Sequence, residues 1–209
     1  MVTDCICLWC GRSIRYEASF REMFQVEDCL CSRCRHLMKY DPGTFKGPGF
    51  RFEGLYVYQG QVREMMLQYK ENCDEALFST FLYPYIRHLN RKYHGYTVIP
   101  VPSSEEMVTR RGFQHVRKIF SVLDLPVREL IVKTADVQQK SSSRRKEIGT
   151  YFRLKEQQLP EKTKILLVDD IVTTGDSMGA CYRLLKRKYA RIRCLTVSYG
   201  KQFVKNAKE

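Results

Sequence analysis

The sequence predicts an α/β protein built on a mostly parallel sheet flanked by helices, preceded by a small cysteine-rich module. Two observations predict this architecture. Strand-like apolar runs alternate with helix-like segments from residue 54 onward, and six of the nine cysteines fall within the first 40 residues. Such alternation is typical of parallel sheets that are covered on both faces. A length of 209 residues fits one full-sized domain with a small appendage.

The amino-terminal cysteines form two Cys-x-x-Cys pairs with 20 residues between them. Two such loops supply the four thiolates of a tetrahedral zinc site. The predicted zinc ligands are Cys7, Cys10, Cys31 and Cys34. Bound zinc would supply much of the folding free energy of so small a module. An iron–sulfur cluster is the alternative, but paired loops suit a mononuclear site better. Cys5 and Cys29 are left over; they are either alternative ligands or, in the preferred interpretation, ordinary thiols.

A boundary is predicted at residues 41–50, which contain three glycines and two prolines. This composition is typical of turns and linkers. We therefore assign residues 1–45 to the zinc-binding module and residues 50–209 to the α/β domain.

Within the α/β domain, the hydrophobic pattern predicts each element in order. Strands are expected at residues 54–58, 97–102, 130–132, 164–170 and 192–199, and helices at 61–70, 75–93, 112–123 and 176–189. The segment at 164–170 is the clearest strand, because its apolar run is continuous up to two acids.

The charge balance indicates the kind of partner that the protein binds, and the hydropathy indicates whether it spans a membrane. Lysine and arginine number 36 against 23 aspartates and glutamates, a formal charge of +13. Such a surplus attracts polyanions such as nucleic acid or phosphorylated metabolites. No apolar run approaches the length of a membrane span, and the amino terminus lacks the pattern of a signal peptide. We therefore expect a cytoplasmic protein that does not span the membrane, with reduced thiols.

The segment at residues 165–177 carries the candidate ligand chemistry. A buried strand ends in two acids, a short loop follows, and a helix begins. Parallel sheets bind ligands at the carboxyl ends of their strands, and helix amino termini attract anions. Hydroxyls and a glycine suit a phosphate, while the acids suit the two hydroxyls of a ribose. The candidate residues are Asp169, Asp170, Thr173, Thr174, Gly175, Asp176 and Ser177.

Two other interpretations of this segment fit the sequence less well. A nucleotide hydrolase would need a Gly-x-x-x-x-Gly-Lys-Ser/Thr loop, which is absent from the sequence. A simple helix cap at Thr174 or Asp176 would not need two acids at the end of the strand. The ligand site is therefore preferred.

At these residues the sequence resembles the type I phosphoribosyltransferases, whose fingerprint is an apolar run, two acids, two apolar residues and Thr-Thr-Gly-x-Thr/Ser. The resemblance implies a phosphoribosyltransferase-like fold that binds phosphoribosyl pyrophosphate with Mg²⁺. Asp169 and Asp170 match the acids that bind the ribose hydroxyls, and residues 173–177 match the 5′-phosphate loop. Asp176 departs from the small residue usual there and adds a negative charge beside the phosphate.

The order of motifs along the whole chain resembles the ComF/ComFC family of competence proteins. The cysteine pairs, residues 68–70, 98–102 and 110–114, and a basic loop carry this resemblance. It implies a role in natural transformation, in which single-stranded DNA enters the cytoplasm beside a ComFA-type helicase. It also implies a cytoplasmic location, at the inner face of the membrane with the uptake machinery.

Basic residues outside the fingerprint have two interpretations each. Lys70 falls where such folds place a loop that meets pyrophosphate, and Arg110 either reaches the anion or lies on a solvated helix start. The basic loop at residues 138–146 either closes over the ligand or follows a nucleic-acid backbone. Its candidate nucleic-acid-binding residues are Lys140, Arg144, Arg145 and Lys146.

Three functions are compatible with this sequence. The first is a DNA-uptake factor that binds single-stranded DNA and a helicase. The second is an active phosphoribosyltransferase that uses an unidentified base. The third is a regulator in which the phosphate ligand switches partner binding.

Overall fold

The structure is a computed structural model that describes residues 6–14, 29–134 and 151–205. Its centre is a five-stranded sheet in the order β1-β2-β7-β6-β3. The strands of the described chain are β1 (Tyr40–Gly47), β2 (Phe50–Val57), β3 (Tyr96–Pro100), β4 (Ile131–Lys133), β5 (Phe152–Leu154), β6 (Lys164–Val172) and β7 (Ile192–Tyr199). Only the β1–β2 pair of the large sheet is antiparallel, so the predicted mostly parallel sheet is confirmed. Strands β4 and β5 form a separate antiparallel pair.

Helices flank both faces of this sheet. They are α1 (Ser32–Leu37), α2 (Gly60–Glu71), α3 (Ile86–Lys92), α4 (Glu105–Arg111), α5 (His115–Phe120), α6 (Asp176–Lys186) and α7 (Gln202–Lys205). Two 3₁₀ segments, Glu75–Phe81 and Tyr83–Tyr85, precede α3.

The long helix expected at residues 75–93 is broken into those three pieces. Pro84 lies in its middle, and proline lacks the N–H that a continuous helix needs. The helix expected at 112–123 is also shorter, because Gly112 ends α4 in a left-handed conformation with φ of +80°.

Residues 41–50 are not a linker as expected but contribute most of the edge strand β1 and its turn into β2. Strand β1 pairs with β2 from Tyr40 opposite Tyr56 to Gly47 opposite Phe50, with a register shift between Tyr40 and Gly43. Proline is tolerated at a sheet edge, where its missing N–H leaves no partner strand unpaired. The turn chemistry at Pro48 and Gly49 therefore joins two strands.

Two hydrophobic clusters cover the two faces of the sheet. Strand β6 divides its side chains between them, because successive residues of a strand point to opposite faces. Leu166 and Val168 belong to the cluster that includes α2 and α5, whereas Ile165 and Leu167 belong to the cluster that includes α6. This alternation also separates the two acids that follow.

The cysteine-rich segment packs against the first of these clusters. Cys7, Cys31 and Cys34 belong to the same buried cluster as the residues of α2. Arg35 Nη1 donates to the carbonyl oxygen of Thr80 at 2.6 Å, and the ring of Tyr40 stacks on Tyr85 with centroids 4.0 Å apart. The cysteine-rich segment and the sheet therefore share one core.

Among the helices that the structure describes, none is both long and apolar enough to cross a membrane.

Candidate functional site

The loop at Thr173–Gly175 leaves the carboxyl end of β6 and leads into α6. Gly175 is buried and has φ of +84°, a conformation that L-residues rarely adopt. A Cβ at this position would also lie 3.0 Å from Cδ of Pro48. The loop therefore needs glycine here, and it presents the unpaired N–H groups of the first turn of α6 at the ligand-binding edge of the sheet.

The hydroxyl groups of this loop are exposed, but one of them is already engaged. Thr174 Oγ1 donates to Oδ2 of Asp176 at 2.8 Å. Thr173 and Ser177 are also exposed, and the side-chain amide of Gln202 donates to the carbonyl oxygen of Thr173. The carboxylate of Asp176 thus accepts the hydroxyl hydrogen of Thr174 that a phosphate oxygen would otherwise accept.

Asp170 is the centre of a buried polar network. Its Oδ2 lies 2.7 Å from Nζ of Lys70 and 3.1 Å from Nε2 of His115. Its Oδ1 accepts the backbone N–H of Ile171 at 2.8 Å. The structure therefore brings two of the predicted site residues, Asp170 and Lys70, into direct contact and adds His115 to them.

The protonation of His115 follows from its neighbours. Nη1 of Arg111 lies 3.1 Å from Nδ1 of His115, and Oγ of Ser103 lies 3.2 Å from the same nitrogen. A guanidinium can only donate, so Nδ1 must accept. We therefore assign the proton to Nε2, where it is donated to Asp170. The imidazole of His115 therefore places its Nε2–H beside the carboxylate of Asp170.

Two further hydrogen bonds fix the helices around Asp170. Nε of Arg111 donates to the carbonyl oxygen of Lys70 at 2.8 Å, which joins α4 to the end of α2. The hydroxyl of Tyr69 donates to the carbonyl oxygen of His115 at 2.8 Å, which joins α2 to α5. The backbones of Lys70 and His115, the two partners of Asp170, are therefore each held by a hydrogen bond.

The two adjacent acids have opposite pKa shifts. Burial alone would raise the pKa of Asp170, but His115 and Lys70 hold it well below its usual range. Burial, and then the charge of Asp170, raise the pKa of Asp169 well above its usual range. Burial would lower the pKa of Lys70, yet the carboxylate of Asp170 outweighs it and the pKa is raised. Of the two acids, Asp170 is therefore the one that keeps its charge more readily, and Asp169 the one that takes up a proton more readily.

Asp169 and Asp170 also face different parts of the fold. Asp170 points toward α5, and Asp169 lies near Cys181 of α6. Oδ1 of Asp169 accepts the backbone N–H of Asp170 at 2.9 Å. The acids are therefore inequivalent, one on each face of β6.

Ser103, His115 and Asp170 lie in the order of a nucleophile, a base and an acid. Nδ1 of His115 already accepts from Arg111, so it is not free to take the proton of Ser103. The arrangement holds Asp170 in place and does not activate Ser103.

Some predicted site residues lie elsewhere. Arg110 is exposed in the last turn of α4, and its neighbour Arg111 makes the contacts with Lys70 and His115. The predicted nucleic-acid-binding residues Lys140, Arg144, Arg145 and Lys146 lie outside the residues that the structure describes. His115 is not predicted from the sequence, because the four histidines are scattered along the chain. The signal that could have identified it is its position directly after the 110–114 motif.

The four predicted metal ligands are brought together. All four Sγ atoms of Cys7, Cys10, Cys31 and Cys34 lie within 4.8 Å of one another. A tetrahedral site with zinc–sulfur bonds of about 2.3 Å separates its sulfurs by about 3.8 Å, so this donor set fits a metal ion. Cys29 lies outside the cluster, and the hydroxyl of Ser79 donates to its Sγ at 3.8 Å.

Comparison with known proteins shows which families this chain resembles. Residues 108–207 match the phosphoribosyl transferase domain family. The competence protein ComFC of Streptococcus pneumoniae is 24% identical, and the alignment covers 88% of this chain and 95% of that protein. The competence protein ComFC of Bacillus subtilis is 22% identical, with 90% of this chain and 74% of that protein covered. The predicted resemblance to the ComF/ComFC family is therefore confirmed.

Solved structures with similarity to this chain include an adenine phosphoribosyltransferase. It is 15% identical, has a TM-score of 0.44, and is aligned over 85% of this chain and 95% of its own length.

Proposed function

We propose that this chain, a relative of the ComFC competence proteins with a phosphoribosyl transferase domain, helps to bring single-stranded DNA into the cytoplasm during natural transformation. In this proposal it binds the strand and a ComFA-type helicase at the inner face of the membrane. The observation that carries the proposal is the similarity to two ComFC proteins over 88% and 90% of this chain.

The charge distribution supports binding to a polyanion. Five exposed basic residues lie in the last turn of α6, in the segment after it and at the start of β7, namely Arg183, Lys186, Arg187, Arg191 and Arg193. Because β6 and β7 are parallel, this basic cluster lies at the opposite edge of the sheet from the phosphate loop. The cluster therefore offers a second surface for binding an anion, and this surface does not compete with the phosphate loop.

The DNA proposal is tested by two variants that each remove four positive charges. In one, Lys140, Arg144, Arg145 and Lys146 are replaced by Ala; in the matched variant, Arg183, Lys186, Arg187 and Arg191 are replaced. We expect salt-sensitive, sequence-independent binding of a single-stranded oligonucleotide by the wild type. The first variant should bind more weakly than the matched one, with a log–log salt slope smaller by about 3. Equal losses would contradict the preference for the loop at residues 138–146 and would assign the binding equally to that loop and to the basic cluster between α6 and β7.

For the ligand site, we propose that residues 169–177 hold phosphoribosyl pyrophosphate. The first turn of α6 and the loop hydroxyls would bind the 5′-phosphate. Asp169 and Asp170 would bind the ribose hydroxyls. Lys70 has three donors, so it can keep its contact with Asp170 and also reach pyrophosphate. Mg²⁺, when bound, would supply charge neutralisation at the ligand oxygens.

An active phosphoribosyltransferase is the second candidate function, favoured by the family match at residues 108–207. Such an enzyme would release pyrophosphate in the presence of Mg²⁺ and an acceptor base. We expect this release to disappear when Asp169 and Asp170 are both replaced by Asn.

For the cysteine cluster, we propose bound zinc with a structural role. Four cysteine sulfurs lie within 4.8 Å of one another, which suits a closed tetrahedral site. Zinc would stabilise the segment that packs against α2.

A further inference from the structure

A pocket of about 320 Å³ lies between α5, the segment at residues 127–130 and the segment that follows β5. Arg117 of α5 lies on one side of it, and Lys155 with residues 157–159 lies on the other. Pockets that bind small molecules have volumes on the order of 300–1,000 Å³. The space is therefore large enough for a charged group and part of the molecule that carries it.

The pocket is separate from the network around Asp170. Arg117 and His115 lie two positions apart on α5, so their side chains point about 200° apart around the helix axis. His115 contacts Asp170, whereas Arg117 lines the pocket. The pocket and the Asp170 network therefore lie against different faces of α5.

Hydrogen bonds to the backbone hold the walls of the pocket in place. The N–H of Arg128 donates to a carbonyl oxygen of β3 at 2.9 Å, which fixes residues 127–130 to the edge of the large sheet. The N–H of Lys155 donates to the carbonyl oxygen of Leu130 at 2.8 Å, which joins the two walls. The N–H of Leu159 donates to the hydroxyl of the buried Tyr189 at 3.1 Å. The pocket is therefore formed before a ligand arrives, which reduces the cost of binding.

Cations predominate in the lining of the pocket. Three bases, Arg117, Arg128 and Lys155, accompany one acid, Glu129, which leaves a surplus of two positive charges. Glu129 lies 3.3 Å from Nη1 of Arg117 and 3.5 Å from Nζ of Lys155. A guanidinium has five N–H donors and an ammonium has three, so both cations keep donors for a second partner.

Arg128 is the cation of the pocket that is most available to an anion. Its side chain is exposed, and within the part of the chain that the structure describes it donates only to the carbonyl oxygen of the adjacent Val127. No carboxylate of those residues pairs with it. A planar guanidinium can bind two oxygens of a phosphate at once, so Arg128 is expected to contribute most to the binding of a phosphate group.

The remaining lining suits an organic group attached to the anion. Leu130 and Leu159 supply apolar surface, and Gln157 supplies an exposed amide. Charges that are partly shielded from water are also screened less by salt than fully exposed charges. The lining therefore fits an organic phosphate, with its phosphoryl group on the cations and its organic part beside the leucines.

We propose that this pocket binds a phosphate monoester, at a site separate from residues 169–177. A monoester carries a charge of about −1.5 to −2 at neutral pH, which matches the surplus of the lining better than the single charge of a phosphodiester. The monoester has two sources, a free phosphorylated metabolite or the 5′-phosphate at the end of a DNA strand. The proposal goes beyond the proposed function and does not depend on it.

The test uses the full zinc-loaded chain and two pairs of probes. Thymidine 5′-monophosphate and thymidine represent the free source. A thymidine oligonucleotide with a 5′-phosphate and the same strand with a 5′-hydroxyl represent the strand end. We expect calorimetry to find binding of the monophosphate that thymidine lacks, or tighter binding of the phosphorylated strand. The first result assigns the pocket to a free metabolite, and the second result alone assigns it to a strand end.

The phosphate loop is excluded as the source of this signal by a variant of its own. Ser177→Glu adds a carboxylate at an exposed position in the first turn of α6, where it repels a phosphate from the loop. Monoester binding should persist in this variant, because the pocket does not involve α6.

Substitutions of Arg128, made in the Ser177→Glu chain, assign the remaining binding to the pocket. Arg128→Ala should weaken monoester binding about tenfold, because a charge-assisted hydrogen bond is lost. Arg128→Lys keeps the charge without the planar fork and should give an intermediate affinity. Arg87→Ala removes an exposed arginine of α3 outside the pocket, so it is the matched control and should not change the affinity.

The outcomes separate this inference from the proposed function, because binding of phosphoribosyl pyrophosphate to the wild type is measured independently. If that ligand does not bind but monoester binding depends on Arg128, the pocket proposal stands and the proposed ligand site fails. The pocket proposal is overturned if Ser177→Glu abolishes all phosphate-dependent binding. It is also overturned if Arg128→Ala binds the monoester as tightly as Arg87→Ala, or if neither pair of probes shows any dependence on the phosphate.

Discussion

Nε2 of His115 lies 3.1 Å from Oδ2 of Asp170, and Arg111 on the opposite side of the ring determines that this nitrogen carries the proton. Asp170 therefore lies between the ring N–H of His115 and the cation of Lys70. A carboxylate buried in this way keeps its charge and its position before any ligand arrives. Preorganised acceptors of this kind bind a ribose hydroxyl without the cost of ordering a side chain.

The role of His115 is tested by two substitutions. His115→Leu removes the donor to Asp170, so we expect unfolding in urea to require about 1–3 kcal/mol less free energy, together with weaker binding of phosphoribosyl pyrophosphate. His115→Gln keeps an N–H donor and should therefore restore most of the stability and most of the binding of phosphoribosyl pyrophosphate. A Gln variant no better than the Leu variant, in stability and in binding, would contradict the role assigned to Nε2.

Isosteric changes at the two acids should have opposite effects on stability. Asp170→Asn leaves Lys70 and His115 beside a neutral amide and should lower the free energy of unfolding by about 3 kcal/mol at neutral pH. Asp169→Asn removes a buried acid whose pKa is raised in the fold and should raise the free energy of unfolding by on the order of 1 kcal/mol. Urea unfolding of the two variants and the wild type measures both. Loss of stability in both variants would show that Asp169 is ionised and paired.

The pH dependence of stability separates the same two acids. The pKa of Asp169 is raised in the fold, so its contribution is present below the unfolded pKa of about 4 and is lost as pH rises toward the folded pKa. The advantage of Asp169→Asn over wild type should therefore grow as pH increases from about 4.

The contribution of Asp170 to stability changes with pH in the opposite direction. Its pKa is lowered in the fold, so its contribution is present above about pH 4 and is lost as pH falls through the folded pKa. The disadvantage of Asp170→Asn should therefore shrink in acid. Urea unfolding across the pH range checks both trends, and parallel curves for the three proteins would refute the assignment.

Removal of metal from the cysteine cluster should destabilise the fold beyond the cysteine-rich segment. Cys31 is fully buried in the same cluster as the residues of α2, so loss of the metal exposes part of the shared core. We expect about one zinc per chain by elemental analysis, and a lower Tm after chelation or in Cys31→Ser. Cys29→Ser, outside the cluster, is the control and should keep its metal. Unchanged Tm in the metal-free protein would remove the stabilising role.

The carboxylate of Asp176 should oppose phosphate binding. It accepts from the hydroxyl of Thr174 and lies in the first turn of α6, where a phosphate would lie. Asp176→Ala frees that hydroxyl and removes the negative charge, so calorimetry should find phosphoribosyl pyrophosphate bound about threefold more tightly. Asp124→Ala, which removes an exposed acid elsewhere, should leave affinity unchanged. Weaker binding in Asp176→Ala would instead give Asp176 a part in holding the ligand.

The sequence predicts those parts of the fold and site that depend on local pattern. The apolar run of β6, the paired acids and the cysteine spacing are local signals, and the elements expected there are found. Pro84 is an equally local signal for a break in the helix expected at residues 75–93, but the helical spacing of the residues around it predicts a continuous helix. The edge strand β1 was missed because its glycines and prolines are tolerated only where a partner strand lies on one side.

The network around Asp170 depends on tertiary contacts that no local pattern contains. Arg110 and Arg111 are adjacent in sequence, and only the orientation of α4 determines which of them faces Lys70 and His115. Adjacent residues of a helix point about 100° apart, so one can be exposed while the other is partly buried. The position of Ser103 beside His115 likewise depends on how the segment after β3 returns toward α5.

The most direct test of the account is a calorimetric titration of phosphoribosyl pyrophosphate with Mg²⁺ into the zinc-loaded protein, beside the Asp169→Asn/Asp170→Asn double variant. We expect saturable binding by the wild type that the double variant loses while it remains folded by circular dichroism. No binding by the wild type, or equal binding by both proteins, would contradict the assignment of residues 169–177 as the ligand site.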